Sequence, residues 1–150
     1  MELGPGMFLG ALGAIGVAVS LFLPWRDGGV HPSDIPLEFL WDKGTTSADP
    51  SILILLVPFA IILAFGAFVP LGAGLRLFGA IGVLAVAIVF AIQLDRALGD
   101  LGGDLGDSLD TGFYLAAIGA ILAFASALVP AGWSSRRDVV ETDVVDDRAV

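Results

Sequence analysis

"SILILLVPFAIILAFGAFVPLGAGL", residues 51 to 75, carries no charge and alternates with no period of two. A helix rising 1.5 Å per residue crosses a hydrocarbon core of about 30 Å in about 20 residues, so this stretch is long enough for one passage. Charge-free intervals recur along the chain. They separate Glu2 from Arg26, Asp49 from Arg76, Arg76 from Asp95 and Asp110 from Arg136, and hold 23, 26, 18 and 25 residues. In lipid the backbone must satisfy itself, and uninterrupted apolar runs do so as helices rather than as a barrel. The expected fold is all-α: a four-transmembrane-helix bundle occupying residues 1–132. Its spans lie at about 7–25, 51–69, 75–94 and 111–129, its polar loops at 26–50 and 95–110, and an acidic tail follows at 133–150. Pro58 falls inside the second span and is expected to kink that helix without ending it.

Composition agrees with this reading. Of 150 residues 57% are hydrophobic and 15% charged, with a mean hydropathy of +0.92. Glu2 stands where a secretory signal needs positive charge, so the first span reads as retained. The chain has no cysteine, which removes disulfides and thiolate metal sites. Its net charge of −9 arises from thirteen Asp and three Glu against six Arg and one Lys. That balance argues against nucleic acid and anionic lipid surfaces as partners, because their phosphates attract basic patches, while the apolar spans make the bilayer itself the expected one. Basic residues divide almost evenly between the two faces. Arg76, Arg136, Arg137 and Arg148 fall on one, Arg26, Lys43 and Arg96 on the other, a small excess that places both termini in the cytoplasm.

Short segments repeat. "GAIGV" occurs at 13–17 and 79–83, "ILAF" at 62–65 and 121–124, and "VP" at 69–70 and 129–130, all in the same order. This order is expected of two tandem helical hairpins related by a pseudo-two-fold axis along the membrane normal. Small residues four apart form stripes, Gly6-Gly10-Ala14-Ala18 in span one, Gly112-Ala116-Ala120 and Gly119-Ala123-Ala127 in span four. Such stripes let helix backbones approach, within one chain or between copies in an oligomer. Trp25 with Arg26, and Trp133 with Arg136 and Arg137, occupy positions expected of membrane-interface anchors, with each indole N–H kept wet. Leu37, Phe39 and Trp41 alternate with Glu38 and Leu40, as in a short strand or a segment lying back on the bilayer.

The segment 94–112 sets Leu94, Leu98, Leu101 and Leu105 on one helical face and Asp100, Asp104 and Asp107 on another, so an amphipathic helix supported by lipid or protein is expected there. Those three carboxylates are the candidate ligands for a hard cation, though their spacing is not that of an EF-hand and a solvated acidic face is the simpler reading. His31 stands alone, without a second histidine or a cysteine to make a metal or catalytic set. No nucleophile elbow, phosphate loop, zinc-protease motif or dinucleotide turn is present, and no cofactor is implied. The span interiors carry no ionisable residue of the kind that marks a proton or ion relay.

A first helix ending in "LPW" at 23–25, an acidic first loop and the tail "RRDVVETDVVDDRAV" at 136–150 together resemble the small four-span membrane proteins of halophilic archaea. In high salt a Debye length of about 3 Å at 1 M screens the self-repulsion of so acidic a surface. The resemblance implies the fold and no activity. A fainter outline, Trp25 followed by "FLW" at 39–41, is similar to claudin-type proteins, but the glycine and both loop cysteines of that pattern are missing. The expected function is therefore a non-enzymatic structural, scaffold or accessory subunit in a homo-oligomer or larger membrane complex. The alternative is an oligomeric channel or carrier for an ion or small solute.

Overall fold

The computed structural model describes residues 4–42, 50–69 and 72–129, and among these there are helices, turns and isolated bridges but no strand. Helix α1, Pro5–Ser20, opens on a proline whose missing N–H would have been unpaired in the first turn anyway. Helices α2, Leu53–Phe68, and α3, Ala73–Gly99, follow. A single turn, α4, Leu105–Ser108, leads into α5, Thr111–Leu128, whose first turn is capped by the Asp110 carboxylate accepting the Thr111 N–H at 2.6 Å. Helix α1 packs against α2 and α5, and α3 packs against the same two, so α1 and α3 are diagonal. The starts of α1 and α3 share one end of the bundle with the finishes of α2 and α5; the segments 21–42 and 100–110 share the other.

Two helices, α3 and α5, are long and apolar enough to cross a membrane. Helices α1 and α2 have 16 residues each, or about 24 Å at 1.5 Å per residue, shorter than the spans expected from sequence. Helix α1 stops at Ser20, not near Trp25. One further turn follows, in which the N–H groups of Leu21, Phe22 and Leu23 reach the carbonyls of Ala18, Val19 and Ser20, before Pro24 ends it. Helix α3 instead outruns its expected limits, because Asp95 and Arg96 lie on its exposed side while Leu94 and Leu98 are buried, so the charges do not interrupt it. Pro58 lies within α2, on an exposed face.

The continuous amphipathic helix expected over 94–112 is not formed. Helix α3 ends in a turn where Leu98 accepts N–H groups from Leu101 and Gly103, with Gly102 at φ +70°, a left-handed cap that glycine adopts without strain. Four glycines, each costing about 1 kcal/mol relative to alanine in a helix, make that interruption cheap. Leu94 and Leu98 are buried and Leu105 packs on the core, but Leu101 is 80% exposed.

Many large apolar side chains lie on the outside of the bundle. Glycine and alanine crowd the α1–α5 interface, while phenylalanine, isoleucine and leucine cover the outer surface. A Cβ at Gly13 would lie 2.5 Å from the Gly119 carbonyl oxygen and 2.7 Å from the Ala123 nitrogen. The same trio of neighbours recurs elsewhere. At Gly13 it is the oxygen of residue 119 with the N and Cβ of 123; at Gly79 it is the oxygen of Phe59 with the N and Cβ of Leu63. Likewise Gly6 meets the Ser126 carbonyl as Gly72 meets the Gly66 carbonyl, and Gly16 meets Gly119 as Gly82 meets the Phe59 ring. Positions on α1 and α3 thus correspond at a constant separation of 66 residues, and those on α5 and α2 at 60. The "GAIGV" and "VP" matches have these separations. The "ILAF" match, separated by 59, is one residue out of register.

Candidate functional site: the capped end and the buried arginine

At the loop end, Trp25 turns inward. Its ring is fully buried, edge-on to Phe90 at 5.6 Å and 70° and to Phe113 at 5.7 Å and 87°, and its Nε1–H donates to the Ser20 carbonyl at 3.0 Å. The expectation of an interface anchor with a wet indole N–H is therefore corrected for Trp25. A carbonyl five residues earlier, in the last turn of α1, serves as acceptor, so the N–H has no need of water. Gly112 is the space that admits this turn: a Cβ there would stand 2.6 Å from the Pro24 oxygen and 2.8 Å from Trp25 Cδ1.

Backbone bonds lace the cap together. The Asp27 N–H donates to Ser108, the Asp110 N–H to Trp25, the Leu37 N–H to Pro50 and the Ile52 N–H to Ile35. Leu37–Leu40 forms a 3-10 turn and not a strand, and the buried Gln93 of α3 donates from Nε2 to the Leu40 carbonyl at 2.9 Å. Phe39 lies on Phe90, while Trp41 is 64% exposed. A shallow cavity of about 160 Å³ opens beside this turn, lined by Arg26, Val30, Asp34, Ile35, Pro36, Phe39 and Phe90. Arg26 is exposed, and its backbone bridges to Val30 and Leu109.

Asp100, Asp104 and Asp107 are exposed along the second loop, and Asp104 uses its carboxylate to accept the Gly106 N–H at 2.9 Å. Among the described residues no group of three acidic or histidine side chains comes together as a metal site would require. His31 caps the Pro32–Asp34 turn, with its N–H directed to the Asp34 carboxylate.

Of the small-residue stripes, Gly10, Ala14, Gly112, Ala116, Gly119, Ala120 and Ala123 are buried, and Gly6 and Ala127 are half-buried. Ala18 is exposed. The α1 contact face turns instead through Gly13 and Val17, because 3.6 residues per turn carry a strict four-residue stripe off the contact line. The described stripes meet within the chain. Trp133, Arg136 and Arg137 lie outside the described residues.

Sequence reasoning passed over Arg76, counting it only for sidedness. It is 8% exposed, with Nη1 donating to the Gly6 carbonyl at 2.9 Å and Nε buried without a partner. Its side chain lies over Gly10, where a Cβ would fall 2.8 Å from Arg76 Cδ and 3.1 Å from Ser126 Oγ. Position 10 is also the counterpart of position 76 at the 66-residue separation, so the arginine crosses to its own equivalent on the diagonal helix. The signal was available in "LGAGLRLFG", 71–79, as the one charge between Asp49 and Asp95. Comparison with protein-family models, with curated proteins and with solved structures finds no match to this chain.

Proposed function

We propose that this chain is a multi-pass integral membrane protein, four helices arranged as two tandem hairpins, and that it serves as a non-enzymatic structural or accessory subunit. The observation that carries the reading is the apolar outer surface. Large side chains such as Phe8, Ile15, Phe65, Phe68, Phe78, Ile88, Ile118 and Leu128 face outward on all four long helices, while the α1–α5 contact is built from glycine and alanine and larger residues such as Leu56, Leu63 and Phe90 fill the rest of the interior. Water opposes that arrangement at about 25 cal/mol per Å² of apolar surface; hydrocarbon does not. The turn at 21–23 extends the apolar rod of α1 towards the length a bilayer requires, and small hydrophobic mismatch costs only fractions of a kcal/mol per Å.

The recurring contacts at 66- and 60-residue separations support the tandem hairpins. Since the described small-residue stripes are used within the chain, partner subunits meet either the aliphatic outer faces or the acidic loop end. A channel or carrier would have to place its path between copies, because Arg76, Trp25 and Phe90 fill the bundle's own ends. The slight excess of arginine on the terminal face supports both termini in the cytoplasm, and the acidic loops suit a salt-rich exterior.

Carbonate-washed membranes, followed by purification in dodecyl maltoside and mass determination, test this directly. The protein is expected in the washed membrane, soluble only with detergent, and in stoichiometric association with a second polypeptide. Monodisperse behaviour in plain buffer would refute the membrane reading; a symmetric homo-oligomer with a hydrated axis would replace the subunit reading with the channel.

A further inference from the structure

Arg76 lies in the first turns of α3, at the end of the bundle where α1 also begins. All nine described acidic residues, Asp27, Asp34, Glu38, Asp42, Asp95, Asp100, Asp104, Asp107 and Asp110, belong to the opposite end. A guanidinium has five N–H donors, and among the described residues the one hydrogen bond of this side chain goes to the Gly6 carbonyl. Nε is shut inside with nothing to bond. Removing a cation from water this far, with no acidic side chain of the described residues at its end of the bundle, is costly, and an anion offsets that cost. The starts of α1 and α3 add the positive ends of two helix dipoles to the same region.

We propose that Arg76 is the receptor for the phosphate of a membrane lipid in the leaflet on the side of the chain termini. The inference rests on the membrane reading above. Phe8, Phe68, Leu75 and Leu128, all exposed, surround this end, so headgroups stand directly beyond it once lipid covers those side chains. The lipid phosphate is abundant at that depth and offers an acceptor of opposite charge to the N–H donors of the guanidinium that Gly6 does not use. A carboxylate from the chain's own terminal segments, Glu2 or Asp138 to Asp147, is the competing anion, and replacing those acids by amides tests it. Arg76 is thus a lipid-positioning residue whose side chain, snorkelling towards Gly6, sets the depth of the bundle in the bilayer.

The test uses the full chain in dodecyl maltoside, which has no phosphate. Unfolding midpoints are measured for the natural protein and for Arg76→Met, which keeps the stem volume without the charge, in detergent alone and with dioleoylphosphatidylglycerol, dioleoylglycerol or inorganic phosphate. Arg76→Met is expected to be at least as stable as the natural protein in detergent alone. The phosphatidylglycerol is expected to raise the natural protein by about 3 °C or more and the variant by less than half as much. An equal rise in both, or the same rise with dioleoylglycerol or with inorganic phosphate, overturns the assignment. So does an unresponsive natural protein that loses stability when Glu2 and the tail acids are replaced by amides, which would place the anion within the chain. A protein that needs no detergent fails the membrane reading itself, an outcome distinct from all of these.

Discussion

Glycine at position 13 brings two helices into contact. A methyl group there meets backbone, not a movable side chain, so α1 and α5 must separate. Gly13→Ala is expected to lower stability by about 1–3 kcal/mol, the usual cost of overpacking, in spite of alanine's better helix propensity. Gly74→Ala, where nothing lies within 4 Å, is the matched control and is expected to be neutral or slightly stabilising. Thermal unfolding in detergent distinguishes the two. Trp25 offers a second measurement at this scale. With Trp41 and Trp133 replaced by phenylalanine, the emission of Trp25 is expected to resist quenching by brominated acyl chains, whereas a variant retaining only Trp41 is expected to be quenched strongly. Equal quenching would return Trp25 to the interface. Trp25→Phe should cost about 1–3 kcal/mol, from a smaller ring and a lost donor to Ser20. Tryptophan after an apolar run is read from sequence as an anchor because its own flanks decide nothing else. The acceptor that draws it inward is visible only once Pro24 has turned the chain.

Helices were more legible than their ends. Four charge-free intervals located α1, α2, α3 and α5, since excluding charge over about 20 residues is a demand few other structures make. Boundaries depended on contacts that sequence spacing does not carry. Asp95 and Arg96 look like the end of a span until Leu94 and Leu98 are seen buried beside them, and Leu101 looks amphipathic until Gly102 turns the backbone. The loop-end cap was the least legible element, because its cohesion is backbone bonding between distant segments, such as Asp27 to Ser108, 81 residues apart. Gln93 pins the Leu37–Leu40 turn to α3. Gln93→Leu leaves the Leu40 carbonyl without its donor and is expected to cost about 1–2 kcal/mol. Hydrogen exchange should rise over residues 37–42 while the middle of α3 stays protected. Uniform exchange across both would mean that Gln93 only fills space.

At the scale of the molecule, the recurring contacts make a prediction that neither helix alone could. If the halves are equivalent, the arginine belongs to a position rather than to a hairpin, and it should be movable from 76 to 10. The three atoms nearest a Cβ at Gly10 are Arg76 Cδ, Arg76 Nη1 and Ser126 Oγ, and all three disappear in the combined variant Gly10→Arg, Arg76→Gly, Ser126→Gly. The relocated side chain would cross the same axis in the opposite direction and find the Gly72 carbonyl in place of Gly6. Gly10→Arg alone forces two guanidinium groups into one space and is expected to prevent accumulation of folded protein or to cost more than about 3 kcal/mol. The combined variant is expected to recover most of that loss, with a coupling of about 1–3 kcal/mol across the mutant cycle, the size seen for residues in direct contact. Losses that simply add would show that the two positions are not interchangeable, and the tandem arrangement would then reduce to a coincidence of glycine spacing. Recovery would also carry the lipid site with the arginine, since both positions open on the same end of the bundle.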